Sequence, residues 1–338
     1  MSLLHKVAEM AGVSPSTVSR ALNEVEGEVG EETRRRIQDA AESLGYRPRP
    51  SRRRKKSNDT NTITFLHIAN YNEPLLSNPF FSRVLAGAQT EAASLGYQMV
   101  FRAIQRENAA GESSLTGDKP TDGILLVGNA TTEIIERCRS ESPAVVHVDA
   151  LIEPLQVDSV ISDGLHGALL AVNHLLDLGH ERIGLLNAEF KAYSFRERRS
   201  GYRIALLDAG IVPDEADEIC SGDERTLDGW LTRPNRPTAV FAVYDLLALS
   251  LIHIAYKLGL RVPEDLSVIG FDDIWFAEHA TLPLTTIKIP KAGLGAMGVR
   301  LLVNRMRGYD APPAITTLPA TLVIRKTTST PPTDRRNG

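Results

Sequence analysis

Two groups of residues have the types and spacing to do chemistry on a partner. The first is cationic. Arg47, Arg49, Arg52, Arg53, Arg54, Lys55 and Lys56 make up seven of the ten residues from 47 to 56, and none of the ten is acidic. A block of this kind attracts a polyanion. The second group lies upstream and comprises Ser14, Pro15, Ser16, Thr17, Ser19, Arg20 and Asn23. Short hydroxyls let a backbone come close to phosphates, and a guanidinium reaches a guanine edge or a phosphate oxygen. Catalytic arrangements are weaker. Asp272 and Asp273 are adjacent, with His279 nearby. Neighbouring side chains at one strand end point to opposite sides, which does not make a two-carboxylate device. No activated nucleophile, metal-ligand cluster, Gly-x-Gly-x-x-Gly loop or Walker loop stands out, so neither a metal nor a nucleotide cofactor is expected. Cys138 and Cys220 are the only cysteines. They are far apart, which excludes a disulfide framework, fits a reducing cytoplasm, and leads us to expect two inert buried thiols.

The elements that position the first residues are short helices. Leu4, Val7, Ala8 and Ala11 recur at helical spacing, and Gly12 ends the run. Ser14 is a good N-cap, and Pro15 suits the first helical position because its missing N–H would have no partner there. The next helix puts Val18, Ala21 and Leu22 on one face. A third, from Glu31 to Leu44, turns Ile37, Ala40, Ala41 and Leu44 inward, with Gly45 as its stop. Two short helices across a tight turn, braced by a third, describe a helix-turn-helix whose second helix enters the major groove.

The chain has 338 residues, enough for two or three domains at roughly 100–200 residues each. With 42% hydrophobic and 24% charged residues it is globular rather than disordered. The net charge of −4 hides an asymmetry: residues 1–60 carry 12 Lys/Arg and 9 Asp/Glu, so the remainder is acidic. No apolar run reaches the ~18–20 residues of a membrane span. The segment Met1–Met10 lacks a signal-peptide core. From Thr62 onward short apolar runs alternate with amphipathic stretches. Strands are expected at Ile63–Ala69, Gln98–Ala103, Gly123–Val127, Ala144–Val148, Ser159–Ser162, Arg182–Leu186, Thr238–Val243 and Leu266–Gly270. Helices are expected at Phe80–Leu95, Gly164–Leu178, Phe195–Ala209, Asp245–Leu258 and Gly293–Arg305. Such alternation means parallel sheets with helices on both faces and ligands beyond the carboxyl ends of the strands.

Several motifs then carry a resemblance. Val7-Ala8-(x)2-Ala11-Gly12-Val13-Ser14-(x)2-Thr17-Val18-Ser19-Arg20-(x)2-Asn23, followed by Glu32-Thr33-Arg34 and Leu44-Gly45-Tyr46-Arg47-Pro48, resembles the headpiece of the lac repressor family of bacterial transcription regulators. The body resembles the same family along nearly its whole length. Its motifs include Asn78-Pro79-Phe80-Phe81, Leu178-Gly179-His180-Glu181-Arg182-Ile183, Asp265-Leu266-Ser267-Val268-Ile269-Gly270-Phe271-Asp272-Asp273 and Leu282-Pro283-Leu284-Thr285-Thr286-Ile287. The resemblance implies a small all-α helix-turn-helix headpiece and an α/β body of two similar parallel-sheet lobes, like a periplasmic binding protein. Its divisions would be a headpiece at 1–48, a hinge at 49–61, lobe one at 62–160 and 290–317, lobe two at 161–289 and 318–326, and a polar tail at 327–338.

The resemblance further implies that Pro15, Ser16 and Arg20 face the operator bases, and that effector contacts fall on Phe81, Asp149, Arg198, Asp245 and Asp272. Carboxylates would accept hydroxyl hydrogen bonds from a polyol, Arg198 would donate a fork, and Phe81 would cover an apolar face. Some positions depart from the family pattern. Lys6 replaces a usual acidic residue, Tyr244 an asparagine, and Glu224 a stacking aromatic. Lys191 stands in the loop before Arg198, and the hinge lacks its usual leucine wedge. The Arg52, Arg53, Arg54, Lys55 run is expected to lie along phosphates or in a narrow minor groove. The tail lacks leucine heptads, so a homodimer on a pseudo-palindromic double-stranded operator is expected. The expected function is a cytoplasmic repressor, not an enzyme, switched by a sugar or related metabolite. A solute-binding module and a regulator switched by a protein partner are the alternatives.

Overall fold

Gly12 and Ser14 organise the first unit. A computed structural model of the chain describes residues 3–22, 29–44, 46, 60–69, 78–118, 120–187 and 192–332. Helix α1 (Leu3–Ala11) stops at Gly12, whose φ of 65° is left-handed and costs glycine little. Helix α2 (Pro15–Leu22) follows, then α3 (Glu31–Ser43). Val7, Ala8, Ala11, Val18, Ala21, Ile37, Ala40 and Ala41 are buried together, with Leu22, Leu44 and Tyr46 at their edge. The inward faces are those expected from the helical spacing, except that the side chain of Leu4 lies outside the described residues. Five of the eight are alanine, so the three helices can approach closely.

The chain separates into two compact units, Met1–Asp59 and Thr60–Gly338. The second begins with β1 (Thr62–Ala69), α4 (Pro79–Ser94), β2 (Gln98–Gln105), β3 (Gly123–Gly128), α5 (Thr132–Glu141), β4 (Val145–Val148) and β5 (Asp158–Ser162). It continues through α6 (Gly164–Asp177), β6 (Ile183–Asn187), α7 (Tyr193–Asp208), β7 (Glu218–Cys220), α8 (Glu224–Thr232), β8 (Ala239–Ala242), α9 (Asp245–Lys257), β9 (Ser267–Asp272), α10 (Trp275–His279) and β10 (Thr285–Lys288). Helix α11 (Lys291–Met306), β11 (Ile315–Leu318) and β12 (Thr321–Val323) close it.

Among the described residues two six-stranded sheets form, in the orders β11-β5-β4-β3-β1-β2 and β12-β10-β9-β8-β6-β7. The two orders repeat one plan, and in each the strand order reverses beside the first strand of the lobe. All pairs are parallel except β12 on β10, which is an antiparallel edge. Strands β3 and β9 are buried at every residue, as unbroken apolar strands covered on both faces must be. The chain changes sheet after Ser162, after Lys288 and after Leu318.

Lobe one is closed by a helix that returns from far along the sequence. Helices α4 and α11 cross with their backbones in near contact. A Cβ at Gly87 would lie 2.0 Å from the Ala292 carbonyl oxygen, and one at Gly295 would lie 2.0 Å from that of Val84. Lobe two is closed differently, by the start of the polar tail. Thr327 is fully buried, its hydroxyl donates to the Val268 carbonyl (2.6 Å), and it accepts from the Thr285 N–H (2.9 Å). His180 lies 2.8 Å from the Thr238 hydroxyl and 2.9 Å from the Ser329 carbonyl. Hydroxyls here fill gaps in the backbone ladder where apolar side chains would leave polar groups unmet.

The α4–α11 crossing yields a first test. Gly295→Ala should cost about 1–3 kcal/mol by overpacking and lower the calorimetric Tm of the body by several degrees. An unchanged Tm would show that the two helices can separate freely.

Candidate functional site

At the start of α2 the Ser14 hydroxyl accepts from the Thr17 N–H at 3.2 Å. It also shares hydrogen bonds with the hydroxyls of Ser16 (2.7 Å) and Thr17 (2.8 Å). Ser14 and Ser16 are exposed, while Pro15 and Thr17 are half-buried. The N-terminal turn of α2 thus presents a cluster of short hydroxyls on a rigid cap. Ser19 and Arg20 belong to α2, but their side chains lie outside the described residues. So do Asn23, Arg52, Arg53, Arg54, Lys55 and Lys191 altogether.

In the body, strand ends supply the chemistry. Asp149 follows β4 in the first sheet, and Asp272 ends β9 in the second. Both have left-handed backbones, φ 65° and 108°, as does Asp273 at 53°. Non-glycine residues take that conformation at a cost of about 1–3 kcal/mol, and such strain collects at functional sites. Arg198 of α7 is only 3% exposed. Its guanidinium donates to the Val243 carbonyl and to Asp272 Oδ1 (3.2 Å), and it lies 3.8 Å over the Phe271 ring and 5.6 Å from that of Phe195. Asp149 of the other lobe faces this pair. Burial pushes its carboxyl up to about 7, with Arg198 pulling it down and Asp272 pushing it further up. Burial also raises Asp272, while Arg198 and Lys291 draw it back. Asp273 turns the other way and pairs with Arg325 at 2.6 Å. The adjacent carboxylates therefore engage different partners.

The structure brings Asp149, Arg198 and Asp272 together and gives the other two expected contacts different surroundings. Asp245 is completely buried. Its Oδ2 accepts from the Ile274 N–H (2.8 Å) and its Oδ1 from the Thr286 hydroxyl, so Asp245 braces the turn after β9. Burial first, and Asp272 second, push its carboxyl up to about 8. Phe81 packs against His67, with centroids 4.3 Å apart, and edge-on against Phe80. Glu224, at the position of a usual stacking aromatic, pairs with Lys257 at 2.6 Å. Cys138 is buried, and its thiol is pushed up to about 12 by that burial. Cys220, expected buried, is exposed at the end of an edge strand.

Sequence reasoning passed over Lys291, which bonds the Asp272 and Asp273 carbonyls, Thr286, which bonds Asp245, and Arg325, which pairs with Asp273. Thr286 stood inside a recognised motif, but nothing marked its hydroxyl as a partner of Asp245. No feature of the sequence singles out Lys291.

The acidic groups set a pH dependence. Asp149 and Asp245 hold protons in the folded chain that the unfolded chain has already lost above roughly pH 4. The stability they contribute is present in full below that pH and is lost as pH rises through about 7 and 8. Calorimetry should show Tm falling from roughly pH 4 to 8 and levelling above that, and Asp245→Asn should flatten that fall because an amide cannot ionise. Parallel curves for the two proteins would rule out Asp245 as the titrating group.

Comparison with known proteins bears on both units. Residues 3–49 match the bacterial regulatory proteins of the lacI family, and residues 172–328 match the periplasmic binding protein-like domain. The HTH-type transcriptional repressor CytR of Escherichia coli (strain K12) is 34% identical over 332 residues, covering 95% of each chain. The solved transcriptional regulator CelR–cellobiose complex superposes with a TM-score of 0.71 at 30% identity, over 96% of this chain and 99% of that one. The lac repressor dimer bound to operator and the anti-inducer ONPF gives 0.69 at 26% identity, over 96% and 98%. The chain belongs to the lacI family of bacterial regulatory proteins, a family of helix-turn-helix transcriptional repressors with an effector-binding domain rather than of enzymes.

Proposed function

We propose that this chain represses transcription as a homodimer on a pseudo-palindromic double-stranded operator, and that a small, neutral, polar effector of the sugar class binds between the lobes and switches it. The observation that carries the effector reading is the meeting of Asp149 from lobe one with the buried Arg198–Asp272 pair of lobe two. A polyol brings hydroxyls to the Asp149 carboxyl, which burial pushes up to about 7, and to the Asp272 carboxylate. An anion would add negative charge beside them, where the cation of Arg198 is already committed to Asp272 and Val243. Phe81 would cover an apolar face of the ligand, and Asp245 would hold the strand end that presents Asp272. The cellobiose found in the CelR complex supports a sugar.

A ligand that contacts both lobes changes the balance between their arrangements. Such couplings are typically about 1–3 kcal/mol and act equally in both directions between effector and operator. On lobe two Trp275 and Phe276 are 57% and 48% exposed, and Leu246 follows the Asp245 that bonds their loop. This apolar face suits a second copy of the chain, and the dimeric operator complex of the lac repressor supports that assembly. A cytoplasmic protein is the corresponding localisation, and no described helix is long and apolar enough to cross a membrane.

The test is fluorescence anisotropy with DNA from upstream of the protein's own gene against a scrambled duplex, with and without cellobiose, ribose, adenosine and cytidine. Selective binding that one compound shifts is the expected result. Equal binding to both duplexes with no shift would refute the proposal. Arg20→Ala should cost about 1–3 kcal/mol on the specific duplex and little on the scrambled one if it reads a base. Replacing Arg52, Arg53 and Arg54 by glutamine should lower the slope of log affinity against log salt by about three per protomer, at ~0.9 per phosphate contact. An unaltered slope would make the run a tether and not a contact.

A further inference from the structure

Lys291 is the first residue of α11, the helix that closes lobe one, yet its side chain reaches into lobe two. It is 9% exposed, and its ammonium donates to the backbone carbonyls of Asp272 and of Asp273, the latter at 2.9 Å. These are two of the left-handed residues at the end of β9, φ 108° and 53°. The first offers its carboxylate to Arg198, and the second sends its own to Arg325.

The placement is unfavourable for a lysine in two ways. Burial disfavours its charge, and the N-terminal end of a helix already carries a partial positive charge. The carboxylates of Asp272 and Asp273 oppose that penalty. A leucine or methionine would fill the same volume at no electrostatic cost. The charge is accounted for only by what it holds, the carbonyls of a strained turn. Its position decides the consequence. Strand β10 ends at Lys288 and α11 starts at Lys291, so the ammonium fastens the beginning of a lobe-one helix to a lobe-two strand end at a point where the chain crosses between lobes.

We propose that Lys291 is a positioning residue, an interlobe latch that fixes the Asp272–Asp273 turn and ties α11 to it, so that occupancy at Asp272 is felt by lobe one. The second half of this statement rests on the proposed effector site, whereas the first does not.

Hydrogen exchange by mass spectrometry on the ligand-free full-length protein tests the latch directly. Lys291→Met keeps the bulk and removes the donors. It should speed exchange at residues 271–275 and at the first turn of α11, leave the strands β3 and β8 unchanged, and be reversed by Lys291→Arg, which restores donors. Unchanged exchange in the methionine variant, or an equal loss of protection throughout the body, would overturn the proposal. Lys291→Leu, which also lacks donors, serves in its place if the methionine variant does not fold.

The same variants, titrated with millimolar cellobiose, ribose, adenosine and cytidine, test the coupling. A compound that protects residues 271–275 in the parent should bind about tenfold more weakly to Lys291→Met, as loss of a charge-assisted hydrogen bond predicts, and should recover with Lys291→Arg. Equal affinity in all three would overturn the coupling. If none of the four compounds alters the parent, the effector reading has failed by itself, and the ligand-free exchange still decides the latch.

Discussion

Burying Arg198 constrains much of lobe two. Removing a guanidinium from water costs several kcal/mol unless its donors are met and its charge opposed. Here the partners are the Val243 carbonyl, the Asp272 carboxylate and the face of Phe271. All three lie at the carboxyl ends of β8 and β9, so those neighbouring strands must end at the same level, as their pairing from Ala239–Ser267 to Phe241–Ile269 provides. Asp272 must also turn its carboxyl toward α7, and it does so with a left-handed backbone. Two residues beyond Val243, Asp245 opens α9 and is pressed against β9. A Cβ at Gly270 would stand 2.3 Å from its Oδ1, so only glycine fits. One buried cation thereby fixes a glycine, a strained turn and a fully enclosed carboxyl.

The same cluster is the place where the lobes can sense one another. Neither sheet is built from one continuous piece of chain. Lobe one takes α11 and β11 from beyond lobe two, and lobe two takes β12 after that. The three crossings hold the lobes together but leave their mutual angle to weaker forces. Asp149 on one side and Arg198 with Asp272 on the other meet across that angle. A ligand can bias it only by binding one arrangement better than the other, and a group that touches both lobes meets that condition.

Much of this architecture is written in sequence patterns that depend only on local physics. Every expected strand and helix of the body is present, because unbroken apolar runs and amphipathic stretches differ in period. What escaped was short or polar. Helix α5 buries only Ile134, Ile135 and Cys138, too few positions to declare a face. Residues 326–329 look like a solvated tail, but Thr327 and Ser329 enter lobe two through hydroxyl–backbone bonds that no hydrophobic pattern records. At the site, Asp245 and Asp272 were picked out by the family resemblance, whereas the partners of Asp245, Thr286 and the Ile274 N–H, lie some thirty to forty residues away in the chain. The role of Lys291 was equally unreadable, since it rests on two backbone carbonyls whose direction comes from positive φ.

The headpiece explains why a modest coupling between lobes suffices. Among the described residues its core is eight buried side chains, five of them alanine, and a unit of about 60 residues buries only about 60% of its unfolded surface. Its recognition turn offers hydroxyls already engaged with one another, and Pro15, which has no side-chain donor. Base contacts worth about 1–3 kcal/mol each, on one such turn, fall short of what separates an operator from bulk DNA. In the proposed dimer two headpieces would multiply their discrimination, but only while their spacing let both engage. A coupling of about 1–3 kcal/mol to the proposed effector site would then become a 5- to 150-fold change in operator binding.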